Sequence, residues 1–242
     1  MRLLIISPVT QTDLERDEEE RYIQSLMGDQ VEVELKNIHF GFPSVESDLS
    51  HTVNAAELIV ELLRRDLSGV DGVFINCFDD PGVTACREAL EIPVFGGYVP
   101  SMLTAMSLGE RIGVITTDPS CIANEERKAR AYGFDRRLVE VGCASINVVD
   151  LLNDPRKLML TLADECERLH KDARVDVICL GCTVMSRVWK ALQAELKHRG
   201  CSVYVVEPMI TGLYWLKNSV ELGYSNSFHL GHTLEAIRWN QK

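Results

Sequence analysis

Short apolar runs alternate with longer amphipathic ones from one end of this chain to the other, which confines it to the α/β class with largely parallel sheets. The short runs predict strands at Leu3–Ser7, Val31–Leu35, Gly72–Cys77, Pro93–Phe95, Arg111–Thr116, Leu138–Val141, Val175–Leu180 and Ser202–Val206. Between them a helical apolar period predicts helices at Leu14–Met27, Val53–Arg65, Val83–Leu90, Ser101–Leu108, Ser120–Tyr132, Arg156–Lys171, Met185–His198 and Met209–Leu222. A weak internal repeat runs through these elements. Ile5-Ile-Ser-Pro8 resembles Val114-Ile-Thr-Thr117, Cys77 is matched by Cys182, and Pro93-Val-Phe95 resembles Val203-Tyr-Val205, all at an offset of about 105–110 residues. Two similar lobes follow, with strand ends facing a shared cleft, where ligands of open α/β sheets bind. Residues 1–97 with 207–242 are expected to form the first lobe and 98–206 the second, the C-terminal segment returning as a helix onto the first.

The 242 residues exceed the roughly 100–150 of a typical single domain, which suits two modest lobes. Hydrophobic residues at 46% and charged residues at 25% are enough to build a core. A net charge of −11 argues against nucleic acid and an anionic membrane as partners, since both select basic surfaces. The acidic run Asp13–Arg21 reads as a solvated helix start, with Thr12 and Glu15 at capping-box spacing. The apolar run after Arg2 is too short for the core of a signal peptide. Ile92–Gly109 is the longest uncharged stretch, but it contains Pro93, Gly96, Gly97 and Pro100 and so does not read as a membrane span. Eight cysteines without a secretory segment lead us to expect reduced thiols in the cytoplasm.

Two of those cysteines carry the chemistry. Cys77 ends the run Gly72-Val-Phe-Ile-Asn-Cys77, and Cys182 ends Asp176-Val-Ile-Cys-Leu-Gly-Cys182. Each reads as a buried strand end running straight into a helix, where peptide N–H groups and the helix dipole favour an anion and lower a thiol pKa. Asp79 or Asp80 suits the cap of the next helix after Cys77, with Pro81 in its first turn, and Thr183 suits the cap after Cys182. Gly181 is expected to let the backbone approach a ligand. Two thiols facing one small molecule can remove a proton from one face and deliver one to the other, which is racemisation. Cys179 and Cys182 form a C-x-x-C, but no second ligand pair completes a zinc site, and Cys86, Cys121, Cys143, Cys166 and Cys201 read as structural. Ser7-Pro-Val-Thr10 and Thr116-Thr117-Asp118-Pro119 end two further strands; their hydroxyls and amides either hold carbonyl oxygens of a substrate and stabilise its enolate, or cap helices. His229-Leu-Gly-His232 is a weak metal signal, and no nucleotide, flavin or zinc motif is present, so neither metal nor cofactor is expected.

These motifs make the chain resemble the aspartate/glutamate/hydantoin racemase superfamily, most of all its hydantoin and allantoin racemase branch. The anchors are Ser7-Pro-Val-Thr10, Gly41-Phe-Pro-Ser-Val-Glu-Ser47, Cys77-Phe-Asp-Asp-Pro-Gly82, Val114-Ile-Thr-Thr117 and Leu180-Gly-Cys-Thr183. The resemblance implies two pseudosymmetric Rossmann-like lobes with parallel sheets and cofactor-independent proton transfer by Cys77 and Cys182 at their interface. It places substrate contacts on the polar strand ends, at Pro8, Phe78, Asp79, Thr116, Thr117, Gly181 and Thr183, with Phe40 and the loop after it shaping the pocket. The expected substrate is a small molecule, a 5-monosubstituted hydantoin or allantoin, and a homo-oligomer is expected of such α/β enzymes. The alternatives are an Asp/Glu-type amino-acid racemase, another cysteine-dependent isomerase, or a non-catalytic binding protein on the same scaffold. The chain departs from the branch at Ser7-Pro-Val-Thr10 and at Phe95-Gly-Gly-Tyr-Val-Pro100, both near the expected pocket. None of the strand-end segments contains Arg or Lys, which favours an uncharged ring over a free carboxylate.

Overall fold

The computed structural model describes residues 1–226; the His229–His232 pair lies outside the described residues. Two four-stranded sheets form, and every strand pair in them is parallel. The first contains β1 (Arg2–Ser7), β2 (Glu32–Asn37), β3 (Gly72–Ile75) and β4 (Val94–Phe95) in the order β2-β1-β3-β4. The second contains β5 (Ile112–Thr116), β6 (Leu138–Cys143), β7 (Val177–Leu180) and β8 (Tyr204–Val206) in the equivalent order β6-β5-β7-β8. The helices are α1 (Asp13–Met27), α2 (Asp48–Arg64), α3 (Val83–Ala89), α4 (Tyr98–Leu108), α5 (Ile122–Tyr132), α6 (Pro155–Asp172), α7 (Trp189–His198) and α8 (Pro208–Glu221).

Burial on both faces explains why the strands read as continuous apolar runs. In β1, Leu3 and Ile5 point to one cluster with Ile23 of α1 and Leu213 of α8, while Leu4 and Ile6 point to another with Leu58 and Leu62 of α2. The chain leaves β1 to one side for β2 and returns on the other side as β3, so the strand order reverses between β1 and β3, and likewise between β5 and β7. Open α/β sheets leave a crevice at the carboxyl ends of such strands. Ser7, Cys77, Thr116 and Cys182 lie at or just beyond those ends.

The lobes exchange helices. α4 follows β4 of the first sheet but packs on β7 and β8, while α8 follows β8 but packs on β3 and β4, and the two helices pack on each other. Tyr98, Met102 and Ala105 of α4 share a core with Ile112, Val114 and Val177, and Met209, Leu213 and Leu216 of α8 share one with Leu3 and Phe74. Gly212 is needed there, because a Cβ at that position would lie 2.4 Å from Phe74 Cε2. Each fully buried side chain of this size contributes about 1.5–3 kcal/mol. The lobe junction is therefore continuous with the core.

Three helix starts differ from expectation by three residues or more. α2 starts at Asp48, five residues before Val53, because Ser47 and Ser50 form a reciprocal cap while Leu49 stays solvent-facing and hides the apolar period. α4 begins at Tyr98 rather than Ser101. Thr183–Val188 is a 3-10 helix, and α7 proper starts at Trp189. The Thr12–Glu15 capping box forms as read.

Candidate active site

A cavity of about 670 Å³ opens between the lobes at the strand ends and is lined by Cys77 and Cys182 together. The expected contacts Pro8, Asp79, Thr116, Thr117, Gly181 and Thr183 also line it. Phe78 belongs to the lining set, but its side chain is buried edge-on against Tyr98, with ring centroids 5.2 Å apart. Phe40 does not: its side chain is 71% exposed. Buried Asn54 accounts for this by gripping the loop, with its Nδ2 donating to the carbonyls of Pro8 (2.8 Å) and Phe42 (3.1 Å) and its Oδ1 accepting from Phe42 N–H (2.8 Å). Gly41 sits against that amide, at a positive φ where a Cβ would meet Asn54 Oδ1 at 2.5 Å. The loop after Phe40 reaches the cavity through Pro43, Val45, Glu46 and Ser47, followed by Asp48 at the start of α2.

Neither thiol is depressed, contrary to the strand-into-helix expectation. Cys77 lies beyond the last β3 pair, and the next helix waits until Val83 behind an N-cap Gly82 in the left-handed region. Asp79 and Asp80 do not cap it; Asp80 instead accepts the Tyr98 N–H at 3.0 Å. One peptide N–H, that of Asp79, reaches the Cys77 sulfur, at 3.4 Å. Burial and then the Asp79 carboxylate push this thiol well above its ordinary range, with the Asp79 N–H and Lys128 opposing. Cys182 is the N-cap residue of the 3-10 helix, but its sulfur accepts no capping hydrogen bond and the Met185 N–H goes to the Cys182 carbonyl at 3.1 Å. Burial pushes the thiol up to about 12, helped by Glu46 and Glu19, with the Val184 and Met185 N–H groups opposing.

The surrounding residues stitch the lobes together. Thr183 Oγ1, next to Cys182, donates to the carbonyl of Asn76, next to Cys77, at 3.3 Å. Asn76 Nδ2 donates to Ser7 Oγ (3.1 Å) and Glu19 Oε1 (2.8 Å). Burial raises the Glu19 carboxyl, with the Asn76 bond opposing. Glu46 Oε1 accepts from Thr117 Oγ1 (3.3 Å) and Val148 N–H (3.0 Å). Asp118 caps the turn Pro119–Cys121 as read. Gly181 is a tight-packing glycine against β5, where a Cβ would lie 2.8 Å from Ile115 O, so the close approach it permits is to the neighbouring strand.

Several lining residues escaped sequence reading. Glu15, Glu18 and Glu19 face the cavity from the acidic run read as solvated, and Cys121 lines it although read as structural. Asp79 accepts from Asn124 Nδ2 (2.6 Å), pairs with Lys128 (2.7 Å) and faces His51 (3.6 Å). Arg127 and Arg187 also line the cavity, although no strand-end segment carries a cation. Arg127 is engaged by Asp48 (2.6 Å), and Arg187 lies over the Tyr22 ring at 3.8 Å. The lining carries seven acids (Glu15, Glu18, Glu19, Glu46, Asp48, Asp79 and Glu125) against those two arginines. Among the described residues no group of three or more His, Cys, Asp or Glu is placed to hold a metal ion, and no helix is long and apolar enough to cross a membrane.

With this geometry in place, comparison with known proteins identifies the class. The model of the Asp/Glu/Hydantoin racemase family matches residues 3–213, and the chain belongs to that family of isomerases. A hydantoin racemase from Pseudomonas sp. (strain NS671) is 26% identical over 227 residues, covering 94% of this chain and 89% of the relative. A hydantoin racemase from Rhizobium meliloti is 28% identical over 184 residues, covering 76% and 74%. In fold, the chain is similar to allantoin racemase from Pseudomonas fluorescens, with a TM-score of 0.85 and 23% identity over 94% of each chain.

Proposed function

We propose that this chain is a cofactor-independent racemase of 5-monosubstituted hydantoins or allantoin, with Cys77 and Cys182 as the two bases. The observation that carries the reading is the placement of two thiols just past the ends of equivalent strands, β3 and β7, in one cavity between the lobes. One thiolate removes the proton from the carbon next to a carbonyl while the other, still protonated, returns one to the opposite face. The roles interchange for the other enantiomer. Thr116 and Thr117 line the same cavity, and we assign them to the developing enolate oxygen.

The charge balance of the lining supports the substrate class. A hydantoin ring has carbonyls and N–H groups but no fixed charge, and a surplus of carboxylates accepts N–H donors while repelling a substrate carboxylate. Both arginines already have partners within the protein, Arg127 with Asp48 and Arg187 with Tyr22. The test is a panel of single-enantiomer 5-monosubstituted hydantoins, allantoin, aspartate and glutamate in heavy water. Loss of optical rotation and deuterium uptake should be fastest with a ureide. Faster turnover of aspartate or glutamate would replace this reading with the amino-acid racemase.

A further inference from the structure

Lys128 lies on α5 of the second lobe, yet its ammonium is buried in the first lobe's Cys77 turn. Its Nζ is 2.7 Å from Asp79 Oδ1, 3.0 Å from Glu125 Oε1 and 3.4 Å from the Phe78 carbonyl. Those three acceptors match the three N–H bonds of an ammonium. The faces of Tyr98 and Phe78 enclose it, with Nζ 4.4 Å and 5.0 Å from their centroids. Replacing a buried ion pair by apolar groups is often neutral or stabilising, so stability alone does not account for one spanning two lobes beside a thiol. What the pair does is local. It clamps the two residues that follow Cys77, and the N–H of the second of them, Asp79, points at the Cys77 sulfur.

We propose that Lys128 is a positioning residue for Cys77: it holds the Phe78–Asp79 turn so that the Asp79 N–H stays on the sulfur, and it offsets the Asp79 carboxylate that faces the same sulfur. The role in turnover rests on the racemase reading; the effect on the thiol does not. The charged and titratable groups around this corner are Asp79 and Asp80 on the turn, His51 from α2, Tyr98 from α4, Glu125, Arg127 and Lys128 from α5, and Cys182 across the cavity. Of these, Lys128 is the cation that favours the Cys77 thiolate, and Asp79 is the nearest anion opposing it.

The test is the rate of iodoacetamide alkylation of Cys77 in the whole protein between about pH 7 and pH 10, read by peptide mass spectrometry with Cys182 as internal reference. Lys128→Met should slow Cys77 about 10-fold, the equivalent of one pKa unit, and change Cys182 less than about 2-fold. Adding Asp79→Asn to Lys128→Met should return Cys77 most of the way, and Lys128→Arg alone should retain most of the rate. An unchanged Cys77 rate in Lys128→Met, or both thiols shifting together, would overturn the proposal. If Lys128→Met does not fold, Asp79→Asn alone decides: it should speed Cys77, and a slowed or unchanged rate rejects the electrostatic role. Failure of every hydantoin to turn over in the unaltered protein would sink the racemase reading and leave the alkylation result standing.

Discussion

The two cysteines end equivalent strands in equivalent sheets, yet they occupy electrostatically different corners. Cys182 leads directly into a 3-10 helix whose first peptide N–H groups, those of Val184 and Met185, favour its anion without a capping hydrogen bond to the sulfur, while its charged neighbours Glu46 and Glu19 are both acids. Cys77 has one N–H and a carboxylate two residues away, which a lysine from the other lobe engages. The repeat has kept the position of the thiol and replaced the means of supporting its anion, with peptide dipoles on one side and a buried ion pair on the other. A racemase tolerates that inequality, because the two bases must trade one proton and need not resemble each other.

The largest test of the comparison removes one corner at a time. Cys77→Ser and Cys182→Ser should each lower kcat/KM for both enantiomers by about 10³-fold or more, since an alcohol is a far weaker acid than a thiol, and positioned proton transfer is worth about 10²–10⁴-fold. Chiral chromatography of product and circular dichroism of the fold read the result. If either serine variant keeps full racemisation, the equivalence of the two positions is topological only and the two-base assignment fails.

A smaller effect separates the corners by pH. Both thiols are raised by burial, so the thiolate grows in as pH climbs, and kcat/KM of the unaltered protein should rise with pH through at least about pH 9. Glu46→Gln removes an anion acting on Cys182 but keeps an oxygen for the Thr117 and Val148 donors. The sign follows from the charge: with one negative neighbour gone, the Cys182 thiolate forms at lower pH. Alkylation of Cys182 at about pH 8 should accelerate about 3-fold, roughly half a pKa unit, while Cys77 stays within about 2-fold. Equal acceleration of both thiols would mean that Glu46 governs the whole cavity and that the corners are not independent.

Much of this architecture was legible in the sequence, because its signals are local or periodic. Buried strands leave apolar runs, the repeat aligns β1 with β5 and β3 with β7, and the Thr12–Glu15 cap is a four-residue pattern. The thiol environments were not legible. The sequence places Asp79 two residues from Cys77, but nothing local announces that Lys128, forty-nine positions after Asp79, meets it. On its own helix Lys128 sits three residues after Glu125, the spacing of an ordinary solvated pair. Glu19 was hidden in the same way within a charge run whose outer members are exposed. The thiol shifts run opposite to what a strand end leading straight into a helix implies. At Cys77 the helix waits until Val83, and at both sites burial outweighs the N–H groups.

The smallest expected effect is a control that lies in neither corner. The family resemblance placed Phe40 at the pocket, and an aromatic there would fill space beside a ring substrate. In the structure Phe40 points to solvent, while Asn54 holds the Phe42 backbone and the Pro8 carbonyl, and Phe42 turns the loop back toward Thr10, whose N–H bonds the Phe42 carbonyl at 3.2 Å. The loop reaches the cavity through Pro43, Val45, Glu46 and Ser47 without help from the Phe40 ring. Phe40→Ala should therefore leave kcat/KM within about 2-fold and stability within about 0.5 kcal/mol, as for a surface substitution. Kinetics over the same ureide panel, together with a thermal melt, check both values. A 10-fold loss in kcat/KM with an unchanged melt would show that Phe40 swings into the cavity when substrate binds. The loop would then join the two thiol corners as a third element of the site.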